Sequence, residues 1–220
     1  MSNFSLLIKN IKNYGVVNIF LIVFFEAIYL LRNNYRKQMF YDESKTDTYN
    51  KIRSLDFSEH KNLNYNGPYS PTPIFFLIKI KNILKRYIKN NNEYFFIDFG
   101  CGAGRSIYFF GEMFKKKLGI DINGNYKKFF KNNEFLEMDL RNIDKFKNKM
   151  SSIDSEYYIL YFYEPFDFIL VKEYINMFLS KKIIIVAINV KKIKDNNINT
   201  IYEKEFFNLN RNIRIYSNHV

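Results

Sequence analysis

The chain has 220 residues, the size of one domain with an appendage. Its 47% hydrophobic content is ample for a core, and its single cysteine, Cys101, rules out an internal disulfide. The net charge of +12 invites an anionic partner, yet the lysines are scattered and no basic run is interleaved with aromatics, which favours a solvated basic surface over a nucleic-acid face without excluding the latter.

Residues 14–31 form the most apolar stretch. They are uncharged from Tyr14 to Phe25 and are then interrupted by Glu26, short of the about 20 apolar residues a spanning helix needs. Lys9 and Lys12 precede the run, as in a signal peptide, but no small-residue cleavage site follows it. On a helix Glu26, Tyr29, Asn33 and Arg36 share one stripe with Asn18 near it, broken by Ile22. Three readings stand: a helix lying in a membrane interface with basic residues at both ends, a helix packed on the domain that follows, and a true span. The expected location is cytoplasmic, either free or at the inner face of a membrane through residues 14–31.

Residues 41–73 show little periodicity and read as a loop-rich connection ending in Tyr69-Ser-Pro-Thr-Pro73. The prolines fix the backbone ahead of a helix at 74–88, with Pro73 suited to its first turn and Thr72 to its N-cap. This entry reads equally as a capped helix start and as a lid over a ligand.

Residues 94–97 are a buried strand, followed by Asp98 and by Gly100, Gly102 and Gly104; a helix starts at Arg105 and runs to 114. Glycines spaced this closely let the backbone approach a ligand, and the helix N-terminus offers free N–H groups. The dinucleotide pattern G-x-G-x-x-G fails, because Arg105 stands where its last glycine belongs, and no Gly-Lys-Ser/Thr follows as in a P-loop. A carboxylate at Asp98 repels a diphosphate and suits an ammonium or sulfonium, which points to S-adenosylmethionine; a bare tight turn is the alternative. Cys101 fits the loop as a small side chain. His60 and His219 are remote from any motif, and no Cys/His cluster suggests a metal.

Strands and helices then alternate. Strands are expected at 117–122, 134–140, 157–163 and 182–190, helices at 125–131, 143–150 and 167–179, and a last antiparallel pair at 202–207 and 213–217. Near-continuous apolar strands between helices mean an α/β fold, a doubly wound, mostly parallel sheet covered on both faces. Residues 1–40 then form an N-terminal hydrophobic helix, 41–73 a loop-rich segment and 74–220 the main domain. Ligands of such a sheet bind beyond the carboxyl ends of its strands. Asp98 ends the first. Asp121 ends the second, where an acid takes ribose hydroxyls. Asp139 ends the third, placed to accept from an adenine amino group. Glu164 ends the fourth, beside the expected methyl. Four acids at four successive strand ends are an improbable accident.

At Asp98-Phe-Gly-Cys-Gly-Ala-Gly-Arg105, Gly119-Ile-Asp-Ile122, Met138-Asp139 and Glu164-Pro-Phe166 the chain resembles motifs I to IV of the class I S-adenosylmethionine-dependent methyltransferases. Thr46-Asp-Thr48 and Tyr69-Ser-Pro-Thr-Pro73 resemble elements found ahead of motif I in one subgroup, so the likeness runs from about residue 42 to the C-terminus. It implies a seven-stranded sheet with a reversed last strand. It implies that Asp98, Gly100, Gly102 and Gly104 hold the methionine part of the cofactor, Asp121 the ribose and Asp139 the adenine, with Tyr69 and Thr72 covering it. Motif IV departs from the family: amine-methylating members carry Asp or Asn where Glu164 stands. Glutamate reaches further and carries a charge, which suits a cationic amine such as a protein lysine and makes Glu164 the candidate catalytic residue. The Asn/Lys-rich segment after the fifth strand is too short for the usual helix before the last hairpin. A catalytically inactive adaptor binding anionic membrane or RNA is the competing reading; a nicotinamide-dependent oxidoreductase is weakened by Arg105.

Overall fold

The computed structural model describes residues 8, 11, 12, 14–31, 72–131, 134–153, 155–164, 167–206 and 212–220. Tyr69 and the Thr46-Asp-Thr48 element lie outside them, as do Pro165 and Phe166 of motif IV. Seven strands form one sheet: β1 (Tyr94–Phe99), β2 (Lys116–Asp121), β3 (Phe135–Glu137), β4 (Tyr157–Tyr163), β5 (Lys182–Ile188), β6 (Asn199–Glu205) and β7 (Asn212–Ser217), in the order β3-β2-β1-β4-β5-β7-β6. The first five run parallel, and β7 is antiparallel to both β5 and β6. The order reverses between β1 and its neighbours β2 and β4, the switch point at which such sheets bind ligands. The seven strands with a reversed last one are as expected.

The central strands are near-continuous apolar runs because both of their faces are covered. Phe96, Ile159, Tyr161, Ile184 and Val186 point to the face bearing α2 (Ile74–Tyr87) and α3 (Arg105–Phe110). Phe95, Ile97, Leu160, Ile183 and Ile185 point to the face bearing α4 (Ile143–Met150) and α5 (Phe168–Met177). The period-2 alternation of strands thus divides one continuous apolar run between two cores. Aromatic rings fill much of both, as where Phe99 stacks on Phe162 at 4.7 Å between centroids.

The differences from expectation have local causes. The helix expected at 125–131 is a 3₁₀ turn over Gly124–Phe129. β3 is three residues long, a partly exposed edge strand, and α3 stops at Phe110 ahead of Gly111. Residues 189–198 contain no helix, as their composition suggests. Thr72 does not cap α2: Pro73 occupies that position, and the Ile74 N–H donates instead to Glu26 Oε1 at 2.8 Å.

Glu26 lies on the N-terminal helix α1 (Val16–Leu30), which packs along α2. Of its polar stripe, Glu26 and Tyr29 face the protein. Ile19, Ile22, Phe25 and Tyr29 pack against the core, and the Glu26 carboxylate accepts from Arg105 Nη1 at 2.8 and 2.9 Å. The face turned outward is apolar, with Val17 72%, Phe20 68% and Leu31 83% exposed. The helix is therefore apolar on both faces, with its one acid turned inward. Among the described residues no helix is long and apolar enough to cross a membrane.

Candidate active site

The glycine loop leaves β1 through three residues of positive φ: Gly100 at 82°, Gly102 at 53° and Gly104 at 76°. An L side chain is strained at each. The Gly100 and Cys101 N–H groups donate to the Ile120 carbonyl at 2.8 and 2.9 Å, which pins the loop to the end of β2. A Cβ on Gly100 would project into open space, whereas one on Gly104 would strike the Phe130 ring at 2.5 Å. Gly104 is needed for packing. Gly100 is exposed at the sheet's carboxyl edge.

Two carboxylates flank that loop. Asp98 is 3% exposed and accepts a hydrogen bond from the Ser106 hydroxyl. Burial pushes its carboxyl up to about 7; the Ser106 bond opposes this and the Asp121 charge adds to it. A buried acid of this kind gains from a cation placed beside it. Asp121 is half-buried, accepting from the Gly102 N–H at 2.9 Å through Oδ2 and from the Asn123 N–H at 2.9 Å through Oδ1. It joins loop and strand while standing where a ribose carboxylate is expected.

Asp139 lies two residues past β3 and is held by Arg141, whose Nε donates to both carboxylate oxygens at 3.0 Å and whose Nη2 donates to Oδ2. Burial alone would raise the Asp139 carboxyl, but the Arg141 bonds and charge outweigh it and hold it below the usual range. Thr72 is buried, its hydroxyl 2.7 Å from the Tyr161 hydroxyl and its carbonyl accepting from Arg105 at 3.3 Å. The Cys101 thiol is pushed up by burial, with the charges of Asp121 and Asp98 adding to the effect, so it is held in its neutral, unreactive form. Among the described residues no group of three or more His, Cys, Asp or Glu side chains could hold a metal.

Glu164 stands just beyond β4, exposed, with φ 45°. The other non-glycine residue of positive φ among those described is Asn189, just beyond β5, at 55°. The two are bonded, Asn189 Nδ2 to Glu164 Oε1, at 2.7 Å. The structure thus gathers the glycine loop, Asp98 and Asp121, and sets Glu164 at the end of the neighbouring strand. Sequence reasoning missed Ser106, Asn189 and the Glu26–Arg105 pair; the one available signal was a lone acid in an apolar run.

No family model matches the chain, and no curated protein matches it significantly. Solved structures do. The rRNA methyltransferase AviRa of Streptomyces viridochromogenes superposes with a TM-score of 0.50 at 9% identity, over 75% of this chain and 94% of its own. The chain has the class I methyltransferase fold. An rRNA methylase of Streptococcus thermophilus is also similar, with a TM-score of 0.42 at 11% identity over 68% of this chain and 98% of its own. So is the ribosomal protein L11 methylase of Lactobacillus delbrueckii subsp. bulgaricus, with a TM-score of 0.41 at 11% identity over 63% of this chain and 74% of its own. At these identities the likeness is one of fold.

Proposed function

We propose that the chain is an S-adenosylmethionine-dependent methyltransferase acting on an amine, with a protein lysine as the specific candidate. The observation that carries this is the glycine loop at the carboxyl edge of the sheet, with open space beside Gly100 and with Asp98 and Asp121 next to it. When bound, S-adenosylmethionine supplies a sulfonium methyl that a nucleophile displaces in line. Asp98 faces the cationic methionine end, Asp121 the ribose hydroxyls and Asp139, shared with Arg141, the adenine. Thr72 and Tyr69 are the candidates for contacts to the cofactor from ahead of α2. Glu164 accepts a hydrogen bond from the acceptor amine, aligns its lone pair and takes its proton. Positioning of this kind accounts for roughly 7–11 kcal/mol of a barrier at most.

The first test is the melting shift of the full chain with S-adenosylhomocysteine, with NAD as control. A ligand at 100 times its dissociation constant adds about 2.7 kcal/mol, which at this size is roughly 5–10 °C. A shift with the first and none with NAD supports the reading; no shift with either overturns it. Transfer of label from S-adenosylmethionine to protein, small amines or RNA then identifies the acceptor; RNA is included because AviRa is an rRNA methyltransferase.

The outward face of α1 favours a second contact, with anionic lipid. Residues 1–40 contain Lys9, Lys12, Arg32, Arg36 and Lys37 against the single acid Glu26, which Arg105 neutralises. An apolar strip about 22 Å long with cations before and after it suits a bilayer surface and is too small for a stable dimer, which buries about 800 Å² per partner. Flotation with phosphatidylglycerol vesicles, lost in Phe20→Glu, supports this; equal flotation with neutral vesicles overturns it. Flotation without any response to S-adenosylhomocysteine favours the inactive adaptor.

A further inference from the structure

We infer that Asn189 is the positioning residue for Glu164. This rests on the methyltransferase reading and deepens it. Two neighbouring strands end in non-glycine residues of left-handed backbone, Glu164 at φ 45° and Asn189 at φ 55°. Such conformations persist where the surroundings impose them, and they gather at functional sites. Here the surroundings are explicit. The Glu164 N–H donates to the Ile188 carbonyl at 3.0 Å, so the end of β5 sets the Glu164 main chain. The Asn189 N–H donates to the Asn212 carbonyl at 2.8 Å, and Asn189 Oδ1 accepts from the Asn212 N–H at 3.0 Å. With its oxygen held by β7, the amide can turn only its NH₂ group toward Glu164, and Nδ2 donates to Oε1 at 2.7 Å. That orientation suits a carboxylate, which accepts and cannot donate.

Asparagine meets three requirements at this position. It tolerates positive φ better than other non-glycine residues. Its oxygen closes the pair with Asn212. Its nitrogen fixes one oxygen of the Glu164 carboxylate through a charge-assisted bond. The carboxylate is thereby turned as a unit, which a general base that must also orient an amine requires.

The test separates side chain from backbone. Asn189→Gly keeps the left-handed backbone and removes the amide; Asn189→Ala removes both; Asn189→Asp keeps the oxygen facing Asn212 and sets a second carboxylate against Glu164. Each full-length variant is measured for melting temperature, for S-adenosylhomocysteine affinity, and for transfer from tritiated S-adenosylmethionine to an extract of cells lacking the chain. Positioning predicts that Asn189→Gly, which also frees the Asn212 N–H, melts no more than about 10 °C below wild type and stays folded at the assay temperature, binds within twofold, keeps its KM for the methyl donor, and loses kcat about 10- to 100-fold. Asn189→Asp loses at least as much. A wild-type kcat in Asn189→Gly, with only Asn189→Ala impaired through its melting temperature, reduces Asn189 to a backbone role and overturns the assignment. If wild type itself transfers no label, the assignment falls with the function, and the homocysteine melting shift tells whether cofactor binding survives.

Discussion

Glu26→Ala is expected to destabilise the whole domain, although residue 26 lies 79 positions from its ion-pair partner. Its carboxylate performs two tasks, pairing with Arg105 Nη1 at 2.8 and 2.9 Å and accepting the first N–H of α2 at 2.8 Å. The Arg105 side chain is 4% exposed and that of Glu26 16%, so water cannot substitute for either partner. Leaving a buried guanidinium unpaired costs about 3–5 kcal/mol, and losing the acceptor at a helix N-terminus about 1 kcal/mol more. At roughly 2–4 °C per kcal/mol for a chain of this size, the melting temperature falls by on the order of 10–20 °C, readable by scanning calorimetry. Glu26→Gln keeps one acceptor oxygen and loses less. Glu26→Leu with Arg105→Met, which removes both charges, recovers much of the loss. A Glu26→Ala melt within 2 °C of wild type refutes the reasoning. So would a truncation of residues 1–31 that melts like the full chain.

Three further outcomes follow from the site. Because Asp98 is pushed up to about 7, above its unfolded value, the native state holds an extra proton between about pH 4 and 7, and its contribution to stability declines as pH rises through that window. A cationic ligand beside it expels that proton, so affinity for S-adenosylmethionine weakens up to tenfold per unit as pH falls below about 7; titration calorimetry at pH 5.5 and 7.5 that finds equal affinities contradicts it. Asp121→Ala loses the acceptor of the Gly102 N–H and the ribose contact together, weakening S-adenosylhomocysteine by about 1.5–3 kcal/mol; an unchanged dissociation constant removes Asp121 from the site. Glu164→Gln binds S-adenosylhomocysteine as wild type does and loses turnover; loss of binding instead moves Glu164 into the cofactor pocket.

The sheet was legible because strands buried on both faces announce themselves as unbroken apolar runs, and YYILYFY or KIIIVAI admits little else. Edge elements were less so. EFLEMDL alternates enough to read as a long strand, yet the strand proper is only Phe135–Glu137, in register with Gly119–Asp121 of β2. Asn189 was absorbed into its strand because nothing local marks where a ladder gives way to a left-handed residue. The stripe on α1 was visible, but its orientation was not. Periodicity states which residues share a face; the positions of Arg105 and the Ile74 N–H, far off in sequence, draw the face holding Glu26 inward. For the same reason Thr72 looked like a cap, the true acceptor being supplied by a residue 48 positions earlier.

The pairing of Glu26 with Arg105 also sets a timetable. On the ribosome Glu26 emerges first, and at about 5–20 residues per second the 79 residues separating it from Arg105 take roughly 4–16 s to follow. Until α2 follows, beginning 48 residues behind Glu26, the apolar segment of α1 has no helix to pack on, and its ion pair waits longer still for Arg105. Its inner face, which carries the only acid of the first forty residues, is then as bare as its outer one. A nascent chain in this condition depends on whatever covers it during translation, so slowing synthesis between Glu26 and Arg105 lengthens the period of greatest aggregation risk.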